Sequence, residues 1–332
     1  MNLLDTDFSR QLGIEVPLIC GAMYPCSNPE LIAAVSDAGG IGIIQPIAMS
    51  YVHGHELRDG IRFIRRLTDK PIGFNAIVEK SSRVYEDRMK KWIDIALEEN
   101  VRFFVTALGN PKWVVDRVHA VGGIVYHDVT DRKWAEKAIA GGVDGLICVN
   151  SQAGGHAGEK EPSELVKELS DLGVPLICAG GIGDEAAFVQ ALELGYGGVQ
   201  MGTRFIATEE CRAHNDYKQA IVEAVSDDIV LTDKISGVPV AVIKTPKLEK
   251  AGLKASGIMK WALKHRKLKH YARMFYTLQS LWTLKRSSLQ GMNYKDFFQA
   301  GRSVSGVTGV EPAGDIVKRY AEAARARSVK SA

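Results

Sequence analysis

The sequence predicts an α/β fold in which eight parallel strands close into a barrel. Three observations lead there. Apolar runs of strand length recur at roughly 20–30 residue spacing, as repeated strand–helix units require. Amphipathic segments of helical period lie between them. Most of the runs are bulky and nearly continuous, as strands are when both faces are covered. An open doubly wound sheet is the alternative. Eight units over about 230 residues suit the barrel. No G-x-G-x-x-G follows the first run, and Gly39-Gly40-Ile41-Gly42 comes after the first helix instead. The expectation is a (β/α)8 TIM barrel over residues 1–245. A basic helical insert and C-terminal extension, residues 246–332, is expected on or near the barrel mouth.

The strand-like runs are Val16–Cys20, Ile41–Ile44, Ile72–Val78, Arg102–Leu108, Ile124–Val129, Gly145–Val149, Val174–Ala179 and Gly198–Met201. Between them, Leu31–Val35 begins the first helix. Leu57–Leu67 carries apolar residues at 57, 61, 64 and 67. Met89–Ala96, Lys112–Ala120, Lys133–Ala140, Ser163–Leu169 and Glu185–Leu194 follow. Gly39, Gly122, Gly141, Gly173 and Gly195 are placed to stop helices in the left-handed conformation. Pro111 and Pro162 suit first-turn positions. Ala207–Val225 reads as the eighth helix and its preceding loop, and Thr232–Ile243 as a β-rich excursion. Residues 311–332 read as a short last helix with a polar tail.

Composition sets the class. Of the 332 residues 46% are apolar and 24% charged, as in a soluble globular protein. The net charge of +3 is uneven. Residues 247–286 hold eleven Lys/Arg and one acid, which leaves the rest mildly acidic. That stretch interleaves Met259, Trp261, Tyr271, Phe275 and Trp282 with its lysines. It reads as a helical subdomain with a solvated basic face that covers the mouth or builds a contact between two copies of a homodimer. Membrane-surface or nucleic-acid binding is the sharper but less favoured reading, and no nucleic acid partner is expected. The five cysteines show no metal-ligand spacing, and an odd count fits reduced thiols. The first eight residues lack a basic n-region and a long apolar core, so a cytoplasmic location is expected. No window approaches the length of about eighteen apolar residues that a transmembrane helix needs.

The chemistry gathers after the strands. Gly180 and Gly181 end the seventh run, and Gly202 and Thr203 end the eighth. Glycines there let backbone N–H groups approach an anion, and in such barrels these two loops hold phosphate. A phosphate-bearing cofactor or substrate is expected. His156 follows the sixth run between glycines and is placed to exchange protons near neutral pH. Met23, Asn75, His127 and Asp128 end other strands and would face the same mouth, with Asn75 suited to the edge of a heterocycle. His53 and His55 read as loop residues, and no metal site is expected.

These pieces together resemble the nitronate monooxygenase family. The matching residues are PLICGAM at Pro17–Met23, LIAAVSDAGGIG at Leu31–Gly42, PIGFN at Pro71–Asn75 and AGGHAG at Ala153–Gly158. They continue with AGGI at Ala179–Ile182 and VQMGTRFIATEE at Val199–Glu210. The match covers about residues 10–245. The resemblance implies non-covalent FMN, its phosphate held by Gly180, Gly181, Gly202 and Thr203, with Met23 and Asn75 by the flavin ring. It implies His156 as the active-site histidine, acting as base or anion binder. The implied substrates are a nitronate and O2, and the products a carbonyl compound and nitrite.

Two departures stand out. Gln152 replaces the glutamate that often precedes A-G-G-H in the family, removing a local charge. Ala300–Gly306 is a loose counterpart of a C-terminal A-G-Q-x-x-G-L segment, with Arg302 in place of the glutamine. The barrel is also similar to enoyl-acyl carrier protein reductase II and to NADH:quinone reductases, which take electrons from NADH or NADPH. A non-catalytic FMN-binding or membrane-associated protein is a third reading, against which the intact His156 argues.

Overall fold

Parallel pairing joins the eight apolar runs in chain order. A computed structural model of the protein describes residues 2–79, 83–233, 239–245, 248, 286, 289 and 298–330. The strands are β1 (Leu18–Cys20), β2 (Ile41–Ile44), β3 (Ile72–Ile77) and β4 (Phe103–Ala107), then β5 (Ile124–Val129), β6 (Gly145–Val149), β7 (Leu176–Ala179) and β8 (Gly198–Met201). Each pairs with the next, and β1 also pairs with β8, Ile19 lying opposite Gln200, so the barrel is closed. β1 and β7 start two residues later than the apolar pattern indicates. Pro17 and Pro175 stand just before them, and proline has no N–H to give to a ladder.

The helices fall where the periodicity puts them. Four of the five stop glycines are left-handed, with φ of 98° at Gly39, 70° at Gly122, 72° at Gly173 and 101° at Gly195. Gly141 differs: its φ is −79°, and the left-handed residue is Gly142, with φ 89°. Pro162 opens its helix, whereas Pro111 sits one residue earlier, as the cap of Lys112–His119. Two short helices carry too few apolar positions to show as periodicity. Asp7–Leu12 is capped by Thr6 and Ser9 and ended by Gly13. Pro46–Tyr51 is capped by Gln45.

Strand alternation sorts the core into two layers. Inward residues such as Ile19, Ile43, Val105, Ile147 and Ile177 fill the barrel, while outward ones such as Leu18, Phe74, Val125 and Cys178 meet the helices. Phe8 plugs the N-terminal end, its ring 6.0 Å from Phe103 and 5.5 Å from Tyr126.

The C-terminal helix Ala313–Lys330 is longer than expected and packs on both Pro29–Asp37 and Glu185–Glu193. These helices follow β1 and β7, so it occupies the place in the outer ring that a long helix after β8 would take; the helix directly after β8, Thr203–Ile206, has only four residues. Buried Tyr320 meets Phe188 at 5.4 Å. Asn215–Glu223 does form within 207–225, but it lies elsewhere, Tyr217 stacking on Phe298 at 4.5 Å. The β-rich excursion is an antiparallel hairpin of β9 (Ile229–Thr232) and β10 (Val240–Ile243). The basic insert expected over 247–286 lies outside the described residues except for Leu248 and Arg286. Among the described residues no helix is long and apolar enough to cross a membrane.

Candidate active site

The inward face changes character toward the C-terminal ends of the strands. On β3, Gly73 faces Ile43 and Phe103 inside the barrel, so Asn75, two residues on, shares that face. Its Oδ1 is buried and, among the described residues, has no hydrogen-bond partner. On β5, Asp128 shares the face of Tyr126, and its Oδ1 is likewise buried and unpartnered. Burial pushes the Asp128 carboxyl up to about 7. His127 does not join it at the mouth, contrary to the sequence expectation, because adjacent strand residues point to opposite faces. Its Nδ1 lies 2.8 Å from Thr106 Oγ1, and burial pulls its pKa down to about 4.

Across the barrel from β3, the turn after β7 and the loop after β6 are interlocked. Gly180 and Gly181 hold φ of 119° and 85°. Asn150 Nδ2 donates to Gly180 O at 3.0 Å, and its Oδ1 accepts from Gln152 N at 2.9 Å. The left-handed φ of Gly181 is what calls for glycine there, and Gln152 Oε1, 2.3 Å from where a Cβ would stand, packs against it. After β8, among the described residues, a Cβ on Gly202 would contact only Met23, whose Sδ would be 3.4 Å away. The structure thus brings Met23 beside Gly202.

The loop after β6 carries His156. Ala241 of β10 donates its N–H to Gly155 O at 2.8 Å, anchoring the residue before it. The His156 side chain reaches solvent, yet the protein around it desolvates the imidazole enough to lower its pKa. The ring is therefore uncharged at neutral pH.

Residues 298–306 complete the cluster, and sequence reasoning did not place them there. Gly301 N donates to Thr203 Oγ1 at 2.9 Å. A Cβ on Gly301 would lie 2.6 Å from Gly154 N. The hint was Gly301 itself, in the loose C-terminal motif. A hollow lined by Gln11, Arg65, Glu98 and Arg102 lies at the opposite end of the barrel, the end that serves stability in this fold.

Residues 6–320 match the family model described as nitronate monooxygenase. The chain belongs to the nitronate monooxygenase family. It is accordingly a flavin-dependent oxidoreductase. Among curated relatives, the nitronate monooxygenase of Pseudomonas aeruginosa is 31% identical over 273 residues, 69% of this chain and 77% of that one. A Rhodococcus jostii protein named (3aS,4S,5R,7aS)-5-hydroxy-7a-methyl-1-oxo-octahydro-1H-indene-4-carboxyl-CoA dehydrogenase is 30% identical over 246 residues, 74% of this chain and 67% of that one. Among solved structures, FabK from Thermotoga maritima superposes with a TM-score of 0.81 at 30% identity, covering 98% of this chain and 97% of the other.

The two departures from the nitronate monooxygenase pattern meet in space. Gln152 does not leave its surroundings without an acid, because Glu161 comes to it. Gln152 Nε2 donates to Glu161 Oε2 at 2.8 Å, and Ser151 Oγ donates to the other oxygen. The hydrogen bonds from Ser151 and Gln152, helped by the charge of Arg302, hold the Glu161 carboxyl below its ordinary range. The charge is supplied nine positions later in the chain than expected.

Proposed function

We propose that the protein is an FMN-dependent enzyme that oxidises alkyl nitronates with O2 to a carbonyl compound and nitrite. The observation that carries this reading is the orphaned Asn75 Oδ1, an acceptor on the inner wall across from the glycine turns. A buried acceptor is not left unpaired without a reason, and a flavin ring carries an N–H that suits it. Family membership supplies the rest of the reading.

The residues present fit FMN. Asn75 would accept from the ring edge and Met23 would lie against the ring. Gly180, Gly181, Gly202 and Thr203 would offer N–H groups to the phosphate. Thr203 Oγ1 accepts from Gly301 N, which leaves its own hydrogen to donate to the same phosphate. When bound, the flavin supplies the electron-accepting chemistry. His156, uncharged at neutral pH, would take the α-proton of a neutral nitroalkane at an imidazole nitrogen. Toward a preformed nitronate its part is to hydrogen-bond the anion.

A second reading, an NADH- or NADPH-dependent flavin reductase, is favoured by one observation. The likeness to FabK runs over nearly the whole of both chains. Anaerobic stopped-flow of the FMN-loaded protein separates the two. Propionate 3-nitronate, NADH and NADPH are mixed with it separately while the flavin band is followed. Bleaching by the nitronate, with little by either nicotinamide, is expected. Fast bleaching by a nicotinamide alone would replace the first reading with the second.

A further inference from the structure

Asn75 and Asp128 are both orphaned at the inner wall, but the proposed flavin contact uses only Asn75. Asp128 Oδ1 is buried, accepts no hydrogen bond, and lies on the inward face of β5 two residues beyond Tyr126 toward the mouth. Among the described residues, its neighbours on that face offer it no donor. Val105 of β4 and Ile147 and Val149 of β6 are apolar, and Ile147 is its register partner. The titratable groups nearby point elsewhere or are uncharged. His127 is turned outward to Thr106. Cys148, on the outer face of β6, is a buried thiol whose pKa is pushed up by desolvation first, then by Cys178, and least by Asp128. His156, at the same end of the barrel, has a lowered pKa. Burial is the one influence resolved on the Asp128 carboxyl itself.

We propose that Asp128 is a charge filter at the substrate position. As a carboxylic acid it donates a hydrogen bond to an oxygen of a nitro or nitronate group, and as a carboxylate it turns anions away. This rests on the reading of the site as one for nitro compounds. Burial has raised the carboxyl to about 7, so both forms are populated near neutral pH. An unpaired carboxylate in a poorly solvated wall repels a second anion strongly, because little water screens the two. The neutral acid is the better neighbour for a nitronate, and the orphaned oxygen marks where the missing partner belongs. At higher pH the same residue favours the uncharged nitroalkane, the form for which His156 is suited as base.

The test uses inorganic nitrite, which keeps its O–N–O anion across the pH range of interest. Its affinity for the FMN-loaded protein is measured by calorimetry between about pH 6 and about pH 9, bracketing the raised carboxyl. For wild type, affinity is expected to fall about tenfold or more as pH rises, the drop that one titrating charge produces over one to two pH units. In Asp128→Asn the fall should vanish, with affinity at high pH above that of wild type. Asp128→Ser serves as a second variant and should behave alike. A flat wild-type profile, the same fall in both variants, or no nitrite binding to any of the proteins would overturn the proposal. FMN uptake is followed separately by its yellow band. If wild type takes up no flavin, the proposed function fails, and the same nitrite titrations run on the flavin-free wild type and variants decide the role of Asp128 by the same criteria. Equal uptake by the variants shows that their site is intact.

Discussion

The backbone N–H of Arg302 donates to the carbonyl oxygen of Gln152 at 2.9 Å. Two positions that depart from the family pattern are thus one structural unit, and Glu161 is its third member. Glu161→Gln should loosen it slightly. Glu161 is solvent-exposed, so the loss at neutral pH is expected below about 1 kcal/mol. Its native pKa is depressed, so its contribution is present above the ordinary glutamate range and lost as pH falls through the native value. Urea melts of wild type and variant should therefore differ at neutral pH and converge in acid.

Gly301→Ala tests the seam between the C-terminal segment and the loops. The new methyl would meet Gly154 N at 2.6 Å and Gln152 O at 2.7 Å, both backbone atoms that cannot step aside. A loss of about 1–3 kcal/mol is expected, with weaker FMN binding because Gly301 N would be drawn off Thr203. Gly309→Ala, with nothing within 4 Å, is the control and should change stability by less than about 0.5 kcal/mol.

His127 gives the fold a pH dependence unconnected to catalysis. Its pKa falls from 6.5 to about 4 on burial. As pH drops from 6.5 toward about 4, the unfolded chain takes up a proton that the folded chain refuses, so stability declines across that window and levels off below it. The loss should reach about 3 kcal/mol. His127→Asn should remove this slope and leave turnover unchanged, since the side chain faces away from the mouth. A variant with the wild-type acid profile would contradict the assignment.

His156→Asn should abolish turnover of neutral nitroalkanes while FMN stays bound and nitronate turnover persists. In wild type, nitroalkane turnover should fall as pH drops through the lowered histidine pKa, because only the neutral ring accepts a proton. Nitroalkane turnover at the wild-type rate in the variant would remove His156 from the role of base.

Tyr320 separates packing from hydrogen bonding. Its ring is fully buried against Phe188, yet among the described residues its hydroxyl oxygen has no partner. Tyr320→Phe should raise stability by about 1 kcal/mol by removing an unsatisfied group. Tyr320→Ala should lower it by about 3–5 kcal/mol through the cavity left. Thermal melts of the two variants should move in opposite directions.

The sequence read best where local rules act alone. Ile41–Ile44, Ile124–Val129 and Gly198–Met201 occupy the spans that their apolar runs define, and Leu57–Leu67 is the helix that its spacing describes. Positions of chemistry after strands were legible because a parallel barrel puts every strand end on one face. What the sequence could not reveal was long-range. Nothing local says that Gly301 rests on Gly154, that Glu161 folds back to Gln152, or that Ala313–Lys330 packs between two helices from far earlier in the chain. His127 and Asp128 look like one polar strand end in the sequence, but strand period two sends their side chains to opposite faces.

The place of the C-terminal helix has a consequence in time. On the ribosome, all eight staves of the barrel emerge well before residues 313–330 do. At ordinary rates of synthesis the gap is on the order of ten seconds. Throughout it the strip around Phe188 that Tyr320 will cover lies open to other nascent chains. Docking of this helix, rather than closure of the barrel, covers that strip, and Leu3 is then tied to Ser328 by its N–H at 3.1 Å. A chaperone that guards this protein would find its task on that strip and nearly over once the helix docks.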